Sequence, residues 1–449
     1  MMRFSYRCYL WATALNYHLP RRLTKGGLLA GAAMILLGAI GSDMDQSVAF
    51  QGFALLLGLF TVSAVTLPFF RGRFGAVRHL PRLASVDQAF RYRVELSNMT
   101  SRPVGPLEWM EDLLDARPTY QEFVQLVHPP KTMRTFRLAA RNRPRMEHRA
   151  ALTPPAPLPP LAASSTVDAQ MEVVPLRRGP LRFRGVSVAR RDPLGLMRAF
   201  VRVDVAQTVL VLPKRYPLPS LLAAGARNYQ PGGVSLASSI GESEEFVALR
   251  DYRAGDPFRR IHWRSWARAG RPIVKECQDE YFVRHALVLD TFAGFAQLEA
   301  FEAAISVAAS FACTLETQES LLDLLFVGSK AFTFTAGRSL GNAQQILEML
   351  ASIEPSRQKD FTALSQLVLR HASMLSTCIC VFIQWDDARR DLVRRLRACG
   401  LPLTVLVIVD EQGERQMRPA AEEPALGRIH VLKPAALAEG LRSLEGSLA

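Results

Sequence analysis

Hydrophobic and polar positions change rhythm three times along this chain, and each rhythm predicts a different kind of structure. Two apolar runs come first, Gly26 to Gly41 and Val48 to Phe70, and neither carries a charge. A helical span of a bilayer needs about 20 apolar residues. The second run is long enough, and the first becomes so once Leu23 to Gly27 enters the interface. The pattern therefore predicts a transmembrane α-helical hairpin over 23–70, behind a basic segment over 1–22. From Phe74 to Pro213 the period drops to two. Phe90 to Leu96, Thr135 to Leu138, Val167 to Val174, Leu181 to Val188 and Val209 to Leu212 are short runs separated by breaks containing Asn, Gly or Pro. That pattern predicts an all-β sandwich of the immunoglobulin or fibronectin kind over 74–215, with one face of each strand in the core. Pro154 to Pro160 is too proline-dense for a hydrogen-bonded ladder and predicts an exposed extended loop. Residues 223–243, rich in Gly, Ser and Ala, predict a flexible linker.

After Tyr281 continuous apolar runs alternate with helical ones. Strands are predicted at Ala286 to Asp290, Cys378 to Gln384, Leu403 to Val409 and Ile429 to Leu432, with a hairpin of Leu321 to Val327 and Ala331 to Thr335. Helices are predicted over Ala296 to Glu316, Asn342 to Ala351, Thr362 to Met374, Ala388 to Ala398 and Ala435 to Leu444. Strands apolar on both faces must be covered on both faces, which implies a mostly parallel, doubly wound α/β domain over 281–449.

Charge orients this arrangement. Arg3, Arg7, Arg21, Arg22 and Lys25 precede the first apolar run, and Arg71, Arg73 and Arg78 follow the second. The connection from Ser42 to Ser47 carries only Asp43 and Asp45. The positive-inside bias places both termini and the soluble domains in the cytoplasm. A cleaved signal peptide is the rival reading of the first run, opposed by the long basic leader and by the second run that follows at once. The 449 residues leave room for two or three domains, and 49% hydrophobic residues beside 21% charged ones agree with a local apolar excess. The cysteines at 8, 277, 313, 378, 380 and 399 lack zinc-like spacing. Cys378 and Cys380 share one face of a strand, as free thiols in a buried sheet of a reducing compartment. The net charge of +14 is spread along the chain, mostly as Arg with no basic tail, so nucleic acid is not an expected partner. Were the arginine-rich stretch to bind it, the binding would be strongly salt-dependent.

The densest chemistry lies in 244–280. Arginines, acids and aromatic residues interleave around one turn from Glu245 to Glu276. Arginine forks two hydrogen bonds onto a carboxylate and stacks on aromatic rings, so such a stretch locks into one shape. Glu245, Phe246, Leu249, Arg250, Tyr252, Gly255, Asp256, Arg259, Ile261, Trp263, Lys275 and Glu276 are the candidate interaction residues. Two readings stay open. In one, Arg250, Arg259 and Arg260 pair with Glu244, Glu245, Asp251 and Asp256 as a buttress between domains; in the other, Trp263, Trp266 and Tyr252 supply contact area for a partner. A third set, Asp256, His262 and Cys277, has the types of acid, base and nucleophile that a hydrolase or transferase needs. Alternation along Ile261, His262 and Trp263 turns His262 toward a polar face, and no phosphate-loop or nucleophile-elbow spacing occurs. No catalytic residue is assigned.

These same residues, with Ala267, Arg268 and Val274, resemble the signature of the family called domain of unknown function 58. The resemblance extends over nearly the whole chain and implies a membrane-anchored protein associated with a MoxR-type AAA+ ATPase, with a C-terminal domain similar to von Willebrand factor type A. Pro257 departs from it, standing where the family usually carries a second acid. In the type A fold a metal is held by an Asp-x-Ser-x-Ser loop, a Thr and a later Asp. By resemblance Asp290, Thr362 and Asp386 or Asp387 take those places, but Phe292 and Gly294 replace the serines, so no cofactor and no divalent metal is expected. The expected function is a non-enzymatic adaptor that couples the ATPase to unknown client proteins at the lipid bilayer.

Overall fold

The computed structural model describes residues 2–41, 47–114, 118, 120, 123–124, 149–218, 246–253, 255–256, 258–277, 283–294, 297–314, 320–328, 330–336, 340–356, 361–410, 413 and 426–446. They divide into two units: 1–215 with 291–309 and 344–359, and 216–290 with 310–343 and 360–449. The 223–243 linker and the Thr135 to Leu138 strand expected from the sequence lie outside the described residues.

The first unit opens with three helices, α1 (Met2–Arg22), α2 (Lys25–Ile40) and α3 (Ser47–Thr66). Thr24 caps α2, its Oγ1 accepting from the Gly27 N–H at 3.0 Å. Helices α2 and α3 pack side by side, with Gly38 against the Phe53 ring. Among the described residues one helix, Val48–Phe69, is long and apolar enough to cross a membrane; α2, at 16 residues, is a shorter apolar helix.

Two β-sheets follow. One has the order β1 (Phe74–His79), β3 (Phe90–Asn98), β7 (Thr166–Pro175), β5 (Ala151–Leu152). The other runs β2 (Leu83–Ser85), β9 (Arg198–Leu212), β8 (Gly179–Arg191), β4 (Leu107–Leu113), β6 (Ala156–Leu158). Period-two alternation sends Tyr92, Val94 and Leu96 of β3 inward to meet Trp109, Phe183, Val186 and Val209 of the second sheet in one core. The alternate residues Arg91 and Arg93 face outward and pair with Glu172 and Asp168 across the β3–β7 ladder. Pro154 to Pro160 is not the free loop its prolines predict, since β6 lies within it and pairs with β4, burying Leu158. An edge strand tolerates a residue without an N–H because only one of its sides is laddered. The final strand is also far longer than Val209 to Leu212, because β8 and β9 form one extended hairpin.

The turn of that hairpin holds the helices. Asp192 accepts from the Leu194 and Met197 N–H groups and from the Ser63 hydroxyl near the end of α3. Thr24 donates its N–H to the Leu196 carbonyl at 3.0 Å and its hydroxyl to Gly195. Nearby, Arg198 joins Glu108 at 2.7 Å and donates to the Pro20 and Leu23 carbonyls left open at the end of α1.

In the second unit β10 (Phe246–Asp251) pairs antiparallel with β11 (Ile273–Cys277), and α4 (Trp263–Ala269) lies between them in sequence. The large sheet has the order β14 (Ala331–Ala336), β13 (Ser320–Val327), β12 (Val283–Leu289), β15 (Thr377–Phe382), β16 (Leu403–Ile408), β17 (Ile429–Leu432). All of its pairings are parallel except β13 with β14. The helices of this unit are α7 (Thr362–His371), α8 (Asp387–Ala398) and α9 (Leu437–Arg442), while α5 (Leu298–Thr314) and α6 (Leu340–Ser352) each have most of their residues in the first unit. Ala286 to Leu289, Cys378, Cys380 and Val381 are fully or almost fully buried, as strands apolar on both faces require. The Cys378 and Cys380 sulfurs lie 3.6 Å apart, and that contact, with burial second, pushes the Cys378 thiol well up. The chain passes from β12 to β13 and β14 on one side and returns to β15 on the other, so the strand order reverses between β12 and β15.

Because Phe183 is almost fully buried and touches both Tyr92 and the Arg78 guanidinium, Phe183→Ala removes a shared contact of both sheets. The expected cost is about 3–5 kcal/mol, read as a lower denaturant midpoint for the Trp109 fluorescence transition.

Candidate functional site

The β10–β11 hairpin and the 251–272 excursion between its strands form a small structure with its own lock. After β10 the chain turns at Gly255, whose φ of 107° suits glycine. The turn brings Asp256 back to Arg250, and the two carboxylate oxygens accept from the guanidinium at 2.7 and 2.8 Å. Asp256 also accepts from the Arg253 N–H at 2.9 Å. These bonds, the Arg250 fork foremost, hold the Asp256 carboxyl down to about 2. The chain then crosses back, with Ile261 bridging Val274, the His262 N–H donating to the Ile273 carbonyl at 2.8 Å, and Tyr252 donating its N–H to the Pro272 carbonyl. Ile261 and Val274 are buried, and Gly270, left-handed at φ 68°, ends α4.

What this lock presents is apolar. Trp263 and Trp266 stack at 5.2 Å between ring centres, and Tyr252 and Phe258 stack at 6.1 Å. Trp263 is 64% exposed and Phe258 73%, with Leu249 also at the surface and exposed Arg259, Arg264 and Arg268 close in sequence. Of the expected pairs the structure makes Arg250 with Asp256, while Asp251 takes the exposed Arg271 instead. Glu244 and Glu245 lie outside the described residues, and Phe246 and Glu276 are described by backbone only, on β10 and β11. Lys275 is exposed on β11 opposite Leu249. Phe258 was not among the sequence candidates. It sits three residues after Gly255, and only the stacking on Tyr252 gives it a place.

The acid–base set reads differently in three dimensions. Asp256 spends both oxygens on Arg250 and Arg253, and the His262 Nδ1 bonds the Ser265 hydroxyl at 2.7 Å, a contact made within the turn entering α4. The Cys277 side chain lies outside the described residues. A carboxylate already forked by a guanidinium is a poor orienter for a histidine.

Residues 248–435 match a family model described as "Protein of unknown function DUF58". The chain is 30% identical over 150 residues to "Uncharacterized protein YeaD" of Bacillus subtilis (strain 168). That similarity covers 33% of this chain, and the chain spans 35% of the length of that curated relative. Among solved structures, an aerotolerance-related membrane protein from Bacteroides fragilis NCTC 9343 aligns over 37% of this chain and 97% of its own, at 12% identity and a TM-score of 0.25. The CARDB domain of the PF1109 protein from Pyrococcus furiosus, solved in complex with di-metal ions, aligns over 31% of this chain and 89% of its own, at 10% identity and a TM-score of 0.18. TM-scores this low do not establish a shared fold. The DUF58 match begins on β10 and ends just before α9, so it takes in the lock and the large sheet together.

Past the carboxyl ends of β12 and β15 lies a second arrangement of acids, with an arginine between them. Asp290, fully buried, follows β12; Asp386 follows β15 and caps α8 by accepting from the Arg389 N–H at 3.1 Å. The Arg389 guanidinium lies between them, at 2.8 and 3.2 Å from the two Asp290 oxygens and 2.6 Å from Asp386. The Phe361 ring covers it at 4.4 Å. Thr362, the third residue of the expected metal set, begins α7 and is exposed. Among the described residues no group of three or more His, Cys, Asp or Glu converges as a metal site would. A guanidinium here supplies the positive charge that Asp290 and Asp386 require. Arg389 was not singled out from the sequence, although its spacing of three from Asp386 on a helix start is a legible signal.

Two outcomes follow. The Asp256 carboxyl has a lower value folded than unfolded, so its stabilising contribution is present above the ordinary carboxylate range and is lost as pH falls toward about 2. Its carboxyl carbon signal should titrate near that value and move to about 3.9 in Arg250→Ala. Arg389→Met leaves Asp290 buried without its partner and should cost about 3–5 kcal/mol by denaturant unfolding, with Asp290→Asn in the same chain recovering part of the loss.

Proposed function

We propose that this protein is a membrane-anchored, non-enzymatic adaptor that couples a MoxR-type AAA+ ATPase to client proteins at the bacterial inner membrane. The observation that carries the reading is the pair of exposed aromatic residues, Trp263 and Phe258, held on a turn that the Arg250–Asp256 fork makes rigid. Large rigid aromatic surface with arginines at its rim is the composition of protein-binding hot spots, and pre-organising it lowers the cost of association. The Asp290–Arg389–Asp386 cluster supports a scaffold over a catalyst: every one of these groups neutralises another. In this reading the large sheet and its helices are a domain of von Willebrand type A kind, whose usual cation is replaced by Arg389.

The anchor is α2 and α3 together as a hairpin, with both termini and both soluble parts cytoplasmic. The apolar length of Val48–Phe69 and the basic residues on either side of 26–70 support it. An ATP-driven machine of the cytoplasm then has access to Trp263.

Pull-down from solubilised membranes with and without nucleotide tests the adaptor. Full-length protein should retain a MoxR-type ATPase in one nucleotide state, and Trp263→Ala should weaken that retention by about 2 kcal/mol or more, roughly 30-fold. Recovery of no ATPase in any nucleotide state, or undiminished recovery by Trp263→Ala, overturns the reading. Alkaline phosphatase fused at Asp43 should be active and at the C-terminus inactive; the reverse pattern overturns the orientation.

A further inference from the structure

We propose that α1 lies flat in the surface of an anionic lipid leaflet, its apolar stripe seated among headgroups and upper acyl chains. This rests on the membrane-anchor reading above and adds a third membrane contact to it. At 3.6 residues per turn, Phe4, Cys8, Trp11, Leu15 and Leu19 fall within about 80° of arc on one side of α1. All five are exposed, Trp11 to 79% and Phe4 to 73%. The opposite side is already occupied. Tyr6 and Tyr9 pack on Phe123 at 5.2 and 4.9 Å, Tyr6 meets the Tyr120 ring edge-on and donates to the Pro118 carbonyl, and Arg21 joins Asp112 at 2.6 Å. The stripe is therefore held outward at both ends of the helix, and the 21 residues of α1 present it as a fixed ridge.

Charge and continuity name the occupant. Residues 1–42 contain no acidic side chain; the first is Asp43. Arg3, Arg7 and Arg22 are exposed on α1, and Lys25 is exposed at the start of α2. A basic helix with Trp, Phe and Leu along one side and low overall hydrophobicity is the kind that binds in the interface of a membrane, and basic residues there attract anionic headgroups. Only Leu23 and Thr24 separate α1 from the apolar α2, so a bilayer that takes up the α2–α3 pair meets α1 at its surface.

The test uses full-length protein reconstituted in vesicles of phosphatidylethanolamine and phosphatidylglycerol containing brominated acyl chains. The Trp11 signal is the emission lost in Trp11→Phe, which keeps the stripe apolar. Bromines near the carbonyl end should quench it more than bromines near the chain end. Replacing phosphatidylglycerol with phosphatidylcholine should reduce the effect, and so should Arg3→Glu with Arg7→Glu. Leu57→Trp in the Trp11→Phe background reports the α3 span and should be quenched best by deep bromines. If the Leu57→Trp signal is quenched and Trp11 is not, the surface helix is overturned and the anchor stands; if neither is quenched, the anchor reading itself fails. An unquenched Trp11 with disulfide crosslinking of Cys8 between two copies puts a second chain on the stripe and also overturns the proposal. Equal quenching in phosphatidylcholine overturns its anionic part.

Discussion

A carboxylate withdrawn from water must be given donors in the right geometry, and at the most deeply buried carboxylates of the large sheet the donor is arginine. Asp290 is the extreme case, fully buried just past the carboxyl end of β12 and held by two nitrogens of Arg389. The same fork recurs where Arg284 meets the fully buried Asp323 and where Arg250 meets Asp256, while Glu108 takes one oxygen to Arg198 and the other to Arg191. Such pairs contribute little net stability over a well-packed apolar substitute, yet removing one partner is costly, so they act to permit one arrangement and penalise the alternatives.

That constraint sorts the signature region into two kinds of residue. Arg250, Asp256, Gly255, Ile261 and Val274 shape the turn and are satisfied by one another. Trp263, Phe258 and Leu249 are what the turn carries outward. In the β domain the analogous polar group is turned inward. Glu111 accepts from Trp109 and Tyr92 beside Arg78, and burial raises its carboxyl above the ordinary range despite those donors. Glu111 therefore ties Trp109 and Tyr92, from opposite sheets, across the middle of the core.

Period and run length made most of the secondary structure legible, because each reports a burial pattern directly. The strands of the large sheet fall within a few residues of their apolar runs, and Arg91 and Arg93 alternate with Tyr92 and Val94 as the pattern requires. Local reading failed where a distant segment decided the outcome. Pro157 sits in a strand because β4 pairs one side of it, and β9 extends back to Arg198 because β8 templates it. Helix α1 escaped because its apolar positions face outward while tyrosines make its contacts, the reverse of the usual core pattern. Asp290 and Asp386 were placed at strand ends from the sequence, but the group joining them was not, since Arg389 lies 99 residues from its main partner. The Arg250–Asp256 pair was visible because both partners lie within one turn.

Both ends of the α2–α3 pair grip a single turn. Thr24 and Ser63 bond Gly195, Leu196 and Asp192 between β8 and β9, and a side chain at Gly27 would strike the Leu196 carbonyl. The joint has no slack hinge of the kind a glycine-rich tether supplies, so a tug or twist applied to the helices travels straight into the longest hairpin of the β domain. The same rigidity works in reverse, and load borne by that hairpin is felt at the base of the helices.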